Sequence, residues 1–396
     1  MGSERLNMTK PSPLQGIRVI DFTAMMSGPF ATRMLADCGA EVIKVEAEGG
    51  DYMRYRSPLR NGRSSYYGQM NGGKKSIVLN LKSPEGAAIA RDLIATADVV
   101  VENYRPGVMK KFGLSWEDLK EDFPRLVFCS ITGFGQTGER AGDPAYAPII
   151  HAASGYDLAH MHYNAHLEKP AITGIFTADV MSAIYAFGAI QTALVHRERF
   201  GAGQHVDVTL IDSMLNMLIY ETQEAQFQTG ARRPLYQPLR TKDGFVMVAP
   251  VNQKNFIGLA HAVGQPEWLE DARFCTITQR EQNWSELMDE IETWTETRTA
   301  RDCEDILMRA GVPCSRYATV SELLADREMV ERGTYQEVED GSGRFSVPRQ
   351  PFLLSEATVS SASHVSDAGA DADEILSRIL GKSEDEIADL RRRKVV

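Results

Sequence analysis

Asp179 stands at the start of a long apolar stretch, where a carboxylate could serve as a nucleophile. The apolar pattern from Thr177 to a stop at Gly201 predicts one buried helix, with Thr177 as its N-cap. Free backbone N–H groups and the positive end of the helix dipole favour an ionised carboxylate in the first turn. Acidic residues also occupy first turns for stability alone, so position leaves both interpretations of Asp179 open.

A glycine-rich segment at 133–138, GFGQTG, matches the GxGxxG pattern of dinucleotide-binding loops and follows a predicted strand. In those proteins the loop opens a helix whose N-terminus holds a pyrophosphate. Here the next residues, ERAGDPAYAP, carry glycine and proline and cannot start such a helix. We therefore predict a flexible glycine loop, which at the C-terminal end of a strand can line or cover a ligand cleft.

Three histidines, His160, His162 and His166, are spaced closely enough to suggest a metal site. No nearby Asp, Glu or Cys completes a tetrahedral set, so we predict a polar surface loop and no metal. The sequence also lacks a Walker A lysine, a nucleophile elbow and an HExxH pair. Nucleotide hydrolysis, α/β-hydrolase chemistry and metalloprotease chemistry are thereby excluded.

The elements that must position these residues alternate between apolar strands and amphipathic helices. The predicted strands are IRVIDFT, EVIKVE, KSIVLNL, DVVVENY, RLVFCSIT and HVDVTL. Uniformly apolar strands separated by helices predict an α/β fold, a doubly wound, Rossmann-like parallel sheet covered on both faces. Helix starts are predicted at Pro29 and at Ser83 with Pro84. We predict a large domain over 1–228, a smaller α+β domain over 229–335, and a C-terminal segment, 336–396, that returns to the large domain.

Composition narrows the class of protein further. The 396 residues include 43% apolar residues and carry a formal net charge of −11, which predicts a globular core and argues against nucleic-acid binding. Five scattered cysteines without a CxxC pair predict reduced thiols. The N-terminus lacks a signal-peptide pattern and no apolar run approaches about 18 residues, so we predict a cytoplasmic protein that does not bind membranes.

Several segments, read in order, resemble the family III CoA-transferases, the group that includes formyl-CoA transferase and carnitine CoA-transferase. They are LQGIRVIDFT, SGPFATRMLADCGAEVIKVE, NGGKKSIVLNLKSPEGAAIARDLIATADVVVENYRPGVMKKFGL, SITGFGQTG and TADVMSAIYAFGAIQTALVHRERFGAGQHVDVTLIDSML. The similarity is dense from residue 14 to about 230. It implies transfer of CoA from an acyl-CoA donor to a free carboxylic acid, with Asp179 forming a mixed anhydride and then an aspartyl-CoA thioester. It also implies an intertwined homodimer and no permanently bound cofactor, because CoA is a substrate.

The resemblance further implies a CoA site. Its members are Asn71, Lys74, Lys75 and Ser76 for nucleotide or phosphate contacts, Glu102, Asn103, Tyr104, Arg105 and Lys111 around the pantetheine and phosphates, and Met26 and Tyr146 near the reacting group.

Two departures from formyl-CoA transferase bear on the substrate. Met26 occupies the first-loop position that is glutamine in that enzyme, and the glycine-rich flap has no counterpart between Gly230 and Asp243. Both departures argue against formyl or oxalate specificity. A dicarboxylate acceptor is suggested by five arginines in or near the early loops, namely Arg33, Arg54, Arg56, Arg60 and Arg63. Surface solubility explains any single one of them equally well.

Two other functions remain open. An α-methylacyl-CoA racemase resembles this family and uses a histidine in the loop before the aspartate helix. The matching position here is Tyr146, with His151 shortly after it, so two-base proton transfer would require His151 to be displaced into the site. The second alternative is a non-catalytic CoA-binding subunit that retains the fold.

Overall fold

The computed structural model describes residues 10–164, 166–227, 234–360 and 363–396. These residues form two compact units. One unit comprises the chain through Gln223 together with Glu331–Val396, and the other comprises Glu224–Val330. The predicted domain boundary at 228 and 229 lies outside the described residues, as does Gly230, which begins the segment where we predict no glycine-rich flap.

Thirteen strands are described. In chain order they are β1 (Arg18–Asp21), β2 (Glu41–Glu46), β3 (Leu59–Arg60), β4 (Arg63–Ser64), β5 (Lys75–Val78), β6 (Val99–Glu102), β7 (Val127–Thr132), β8 (Gln204–Thr209), β9 (Leu239–Arg240), β10 (Phe245–Val248), β11 (Cys314–Arg316), β12 (Tyr335–Asp340) and β13 (Gly343–Pro348).

The larger unit is built on a six-stranded parallel sheet with the order β5-β2-β1-β6-β7-β8. All residues of β6 and β7 are buried, as expected when helices cover both faces of a parallel sheet. One face packs a core that includes Val19, Val127 and Ile190, and the other packs a core that includes Ile20, Phe128 and Leu93. The predicted doubly wound α/β fold is confirmed.

The described α-helices are distributed over the larger and the smaller unit. They are α1 (Ser27–Asp37), α2 (Ser65–Asn71), α3 (Pro84–Ala95), α4 (Val108–Lys111), α5 (Trp116–Leu119), α6 (Ala147–Ala153), α7 (Tyr156–Tyr163), α8 (Thr177–Phe200), α9 (Leu210–Met217), α10 (Ile219–Gln226), α11 (Gln253–Val263), α12 (Ile277–Gln282), α13 (Trp284–Thr295), α14 (Ala300–Arg309), α15 (Val320–Ala325), α16 (Arg327–Glu331), α17 (Ala372–Glu374) and α18 (Glu384–Arg392).

The predicted helix starts are right in one case and shifted in another. The Ser83 hydroxyl caps α3 by accepting a hydrogen bond from the Gly86 N–H at 3.0 Å, with Pro84 as the first helical residue. Helix α1 begins at Ser27, before Pro29, and its N-cap Met26 makes no side-chain capping bond.

The histidine cluster also differs from the prediction. His160 and His162, expected in a loop, lie in α7, where the His160 ring packs against Tyr156 at 4.6 Å between centroids.

The C-terminal segment adds apolar side chains to one face of the large sheet. Ile375, Leu376 and Ile387 share a core with Ile77 and Ile89. The smaller unit has its own antiparallel sheet, β11-β10-β9, and its own core, which includes Phe256, Trp268 and Ile291. Each unit therefore carries a separate hydrophobic centre.

Helix α8 is long and apolar enough to span a membrane by length and composition, with a mean hydropathy of 1.4 over its most apolar window. The prediction that no apolar run approaches membrane length is therefore wrong for α8. Its buried residues Ala183, Ala186, Ile190 and Ala193 pack in the core of the large unit, which gives the apolar composition a structural reason.

Candidate active site

Asp179 lies on the wall of a cavity of about 270 Å³ at the carboxyl ends of β6 and β7. This edge of a parallel sheet is where open α/β folds bind ligands. The side chain is half-buried and sits in the first turn of α8. The other lining residues come from the first loop and the start of α1, from the end of β7, from the loops that follow β6 and β7, and from the start of α9. They are Ala24, Met25, Ser27, Asn103, Tyr104, Arg105, Pro106, Ile131, Thr132, Gly133, Ala141, Asp143, Ala145, Tyr146 and Leu210.

The helix start does not stabilise this carboxylate in the expected way. Phe176, not Thr177, is the N-cap of α8, and it provides no capping side chain. The N–H groups of Thr177 and Ala178 already donate to the Ile175 carbonyl and to His151 Nε2. Burial therefore dominates and raises the pKa of Asp179 to about 6. The carboxylate is still mostly ionised at neutral pH, and it is less well solvated than an exposed one.

Asn103 fixes the first loop against the cavity. Its side chain accepts a hydrogen bond from the Ala24 N–H at 2.9 Å and donates to the Ala24 carbonyl at 2.8 Å. The next residue, Met25, has a φ of +69°, a left-handed conformation that is uncommon for a residue other than glycine. The paired hydrogen bonds hold this strained residue at the cavity wall.

Tyr104, Arg105 and Tyr146 give the cavity its polar character. Burial raises the pKa of Tyr104 to about 12, so its phenol stays protonated. Arg105 is exposed at the cavity, and no described side chain forms an ion pair with it. Tyr146 is the N-cap residue of α6 and is 62% exposed. Together with Asn103, these three members of the predicted set line the same cavity as Asp179.

The glycine loop after β7 forms part of the same wall. A β-carbon at Gly133 would lie 2.2 Å from Ala145 Cβ, so only glycine permits this close approach to the loop that carries Tyr146. Farther along, the Gln136 N–H donates to Asp207 Oδ2 at 2.9 Å. The segment is an irregular cleft-lining loop, as predicted, and it starts no helix.

Glu102 faces a different cavity. That cavity has a volume of about 260 Å³ and is lined by Glu102, Ser130 and His205, among others, with Arg105 shared between the two cavities. Burial raises the pKa of Glu102 to about 7. Its carboxylate accepts the Tyr104 N–H at 2.9 Å. The geometry thus assigns Glu102 to the support of the Asn103–Tyr104 turn and does not place it beside Asp179.

The residues of the predicted phosphate cluster lie outside the Asp179 cavity. Lys74 is buried, and its Nζ lies 2.8 to 3.0 Å from four oxygen atoms, on Asp21, Pro29, Thr32 and Asn71. An ammonium with its hydrogen-bonding capacity filled is unsuited to a phosphate. The expected phosphate role of the Lys74 and Asn71 side chains is therefore corrected to an internal polar network.

The two neighbours of Lys74 in that cluster are also engaged inside the protein. The Ser76 hydroxyl is buried and donates to Glu46 Oε1 at 2.6 Å. Lys75 is partly exposed and pairs with Glu41 at 2.8 Å and with Glu374 at 3.1 Å. Lys111, at the end of α4, is exposed and lines neither cavity.

Met26 does not line the Asp179 cavity, but it contacts Tyr66, a residue that the sequence did not single out. The Tyr66 hydroxyl donates to Met26 Sδ at 3.0 Å. Burial, together with the negative charge of Asp179, raises the pKa of Tyr66. Tyr66 therefore belongs to the electrostatic surroundings of Asp179. Nothing in the local sequence marks it, because only the tertiary fold brings α2 to the start of α8.

Four of the five candidate arginines are paired with acids and lie away from Asp179. The pairs are Arg33 with Asp37, Arg54 with Glu46, Arg60 with Asp340 and Arg63 with Asp367. Arg56 stacks on Tyr52 at 4.0 Å from the ring centroid. Among the described residues that line the cavity, Arg105 is the one cation.

His151 does not line the Asp179 cavity; its ring is fully buried on α6. A racemase would need a second base facing the same carbon as Asp179, and His151 does not meet that requirement. Among the described residues no group of three or more His, Cys, Asp or Glu side chains could hold a metal ion.

Comparisons with known proteins identify the family. The family model described as CoA-transferase family III matches residues 14–371. The succinate–glutarate CoA-transferase of Agrobacterium fabrum is 36% identical, over 87% of this chain and 90% of the relative. The human succinyl-CoA:glutarate CoA-transferase is 32% identical, over 100% of this chain and 92% of the relative.

A solved structure extends the likeness to three dimensions. The crystal structure of a CAIB/BAIF family protein from Brucella suis matches with a TM-score of 0.81 at 31% identity, over 93% of this chain and 100% of that one. The fold and the site thus define an α/β enzyme with a carboxylate at the sheet edge. The chain belongs to CoA-transferase family III, and it is a CoA-transferase.

Proposed function

We propose that this enzyme moves CoA from a dicarboxylic acyl-CoA to a second dicarboxylic acid, with Asp179 as its nucleophile. The main supporting observation is that Asp179 is a half-buried carboxylate without a described cationic partner. It faces a cavity in which Arg105 is the one described cation. Three relatives are named for dicarboxylates: the succinate–glutarate and succinyl-CoA:glutarate enzymes, and the succinyl-CoA–D-citramalate CoA-transferase of Chloroflexus aurantiacus, which is 34% identical over 98% of both chains.

In the first half-reaction, the Asp179 carboxylate attacks the thioester carbonyl of the donor. A C–O bond forms, the C–S bond breaks, and CoA leaves as the thiolate. The thiolate then attacks the aspartyl carbonyl of the mixed anhydride. This step makes an aspartyl-CoA thioester and releases the donor acid as its carboxylate.

The second half-reaction runs these steps in reverse on the acceptor. The acceptor carboxylate attacks the aspartyl thioester and expels the CoA thiolate. The thiolate attacks the acceptor carbonyl of the new anhydride, which yields the product acyl-CoA and restores the Asp179 carboxylate. A covalent relay suits this chemistry because a free carboxylate is a poor nucleophile toward a thioester unless it is held and desolvated beside it.

Arg105 serves the negatively charged end of a substrate in this proposal. It stands in the cavity wall immediately after Asn103 and Tyr104, which border the same space. A guanidinium without an acidic partner is suited to a carboxylate or a phosphate. Arg105→Gln is expected to raise KM for the charged substrate about tenfold, because a charge-assisted hydrogen bond is lost. Separate titrations of acyl-CoA and free acid identify which of the two Arg105 binds.

The experiment that tests the function crosses succinyl-CoA and acetyl-CoA donors with glutarate, succinate, malate, citramalate and oxalate acceptors, with mass spectrometry as the readout. During turnover, hydroxylamine should convert the activated carboxyl of Asp179 to a hydroxamate, which peptide mapping locates. Asp179→Asn is the matched control. Absence of both CoA transfer and a hydroxamate with every donor would refute the proposal.

We also propose that the active form is a homodimer. The described surface of α8 exposes large apolar side chains, with Ile184 46%, Val195 56% and Phe200 71% exposed, and such a patch is typical of a protein interface. Light scattering after gel filtration checks the mass of the particle.

A cytoplasmic location is supported by the five unpaired cysteines, and subcellular fractionation tests it. We propose that no cofactor is permanently bound; the absorption spectrum and metal content of the purified protein test this.

A further inference from the structure

The helix that carries Asp179 is capped by a histidine from another helix. Phe176, the N-cap residue of α8, offers no side-chain acceptor. Instead, Nε2 of His151 accepts a hydrogen bond from the Ala178 N–H at 3.1 Å. Ala178 directly precedes Asp179 in the chain. The imidazole therefore fixes the backbone at the base of the proposed nucleophile.

The position of His151 is set by the fold on both sides. Its ring is fully buried, and it lies on the same helix as Ala147 and Ile150, which belong to the core of the large unit. Helix α6 begins just after Tyr146, which lines the Asp179 cavity. One short helix thus delivers Tyr146 to the cavity and His151 to the start of α8.

The hydrogen bond also determines the protonation state of His151. A ring nitrogen that accepts from an amide carries no proton, so the proton is on Nδ1. Nδ1 has no hydrogen-bond partner among the described residues. Burial lowers the pKa of His151 and outweighs the opposing effect of Asp157 on α7. Tyr156 packs on the ring at 5.2 Å between centroids, and His160 lies beyond it.

We propose that His151 is a positioning residue of the CoA-transfer reaction. By occupying the Ala178 N–H, it keeps that amide from binding the Asp179 carboxylate and leaves the carboxylate free to attack the thioester. This inference rests on the proposed role of Asp179. Its physical basis is that a carboxylate which accepts backbone N–H bonds is stabilised in its ionised form and becomes a weaker nucleophile.

The test compares two replacements of His151. His151→Leu removes the acceptor, so the Ala178 N–H is free to bind the Asp179 carboxylate. We expect kcat to fall about tenfold or more because the nucleophile is misplaced, with KM for acyl-CoA unchanged. The acid limb of the pH profile should also move down by about one pH unit. His151→Gln can present an amide oxygen to the same N–H and should restore both quantities.

A purely structural role predicts a different pattern. It would lower the melting temperature of His151→Leu but leave kcat per folded molecule and the acid limb at wild-type values, and that result would overturn the inference. Equal impairment of the Gln and Leu variants would overturn it as well. If the leucine variant does not fold, His151→Met replaces it, since methionine is flexible and its sulfur is only a weak acceptor.

Two further measurements keep the inference separate from the function on which it rests. Nitrogen-15 NMR of histidine-labelled wild-type enzyme should show His151 as the neutral Nδ1–H tautomer, and a protonated Nε2 would contradict the cap. Hydroxylamine trapping on wild-type enzyme tests Asp179 alone. If wild type and His151→Leu form the Asp179 hydroxamate at the same rate, the role of His151 fails while that of Asp179 stands.

Discussion

Two aspartates in the larger unit show how differently one fold can treat the same side chain. Asp21, at the end of β1, is fully buried, and burial alone would raise its pKa. The ammonium groups of Lys74 and Lys44 and hydrogen bonds from Thr23 and Thr32 outweigh burial, so the pKa lies well below its usual range. Asp179 has no described cation close to it, and burial raises its pKa to about 6.

The difference separates a carboxylate that stabilises the fold from one that is available for chemistry. Asp21 and Lys74 neutralise each other inside the protein, with 3.0 Å between Lys74 Nζ and Asp21 Oδ2. A nucleophile held by such a pair would have to give up those bonds before it could react. An unpaired, partly desolvated carboxylate at a cavity wall can react without first losing such bonds.

Replacement of Asp179 tests this difference most directly. Asp179→Asn should lower turnover at least about a thousandfold, because an amide cannot form the anhydride. The folded protein should be as stable as wild type or more stable at pH 7. Since the folded pKa of Asp179 is raised, its contribution to stability is present at low pH and declines as pH rises through about 6.

Turnover and thermal unfolding of Asp179→Asn are measured on the same preparation. Asp21→Asn is the matched control. In contrast to Asp179→Asn, it should be less stable than wild type. An inactive Asp179→Asn variant that is also strongly destabilised would place Asp179 with Asp21 as a structural acid.

The second prediction concerns Lys74. Lys74→Met removes the direct ion-pair partner of the buried Asp21 and leaves Lys44 as the remaining nearby cation, which costs about 3–5 kcal/mol of unfolding free energy. Urea denaturation measures this loss. Affinity for CoA should change little when folded protein is assayed, because Lys74 lies outside the Asp179 cavity. A stable Lys74→Met protein with much weaker CoA binding would restore the phosphate role.

The same contrast explains how much the sequence could predict. Apolar strands alternating with helices determine the parallel sheet, and the resemblance to a known family located Asp179, Asn103, Tyr104, Arg105 and Tyr146, which the fold brings together. A motif such as NGGKKS identifies residue types but does not say whether a lysine points inward. The roles of Tyr66 and His151 depend on contacts between different helices. Local sequence patterns do not predict these contacts.

A third prediction uses pH. Because the reactive form of Asp179 is the ionised carboxylate and its pKa is about 6, kcat/KM for acyl-CoA should be level above pH 7 and fall about tenfold per pH unit below 6. The sign follows from protonation, which removes the nucleophile. Initial rates from pH 4.5 to 8 in constant ionic strength, together with far-UV circular dichroism to confirm folding, measure the profile. Full activity at about pH 4.5 would show that Asp179 is stabilised as Asp21 is.

The smallest expected effect comes from the residue next to Lys74. Lys75 forms partly exposed pairs with Glu41 and Glu374, and such pairs contribute about 0–1 kcal/mol each. Lys75→Met removes both pairs and should therefore change the free energy of unfolding by about 2 kcal/mol or less. Added salt should shrink the difference because exposed charges are screened. Denaturation of both lysine variants at low and high salt makes the comparison direct. If Lys75→Met proves as damaging as Lys74→Met, then burial of the ammonium is not what distinguishes these two adjacent lysines.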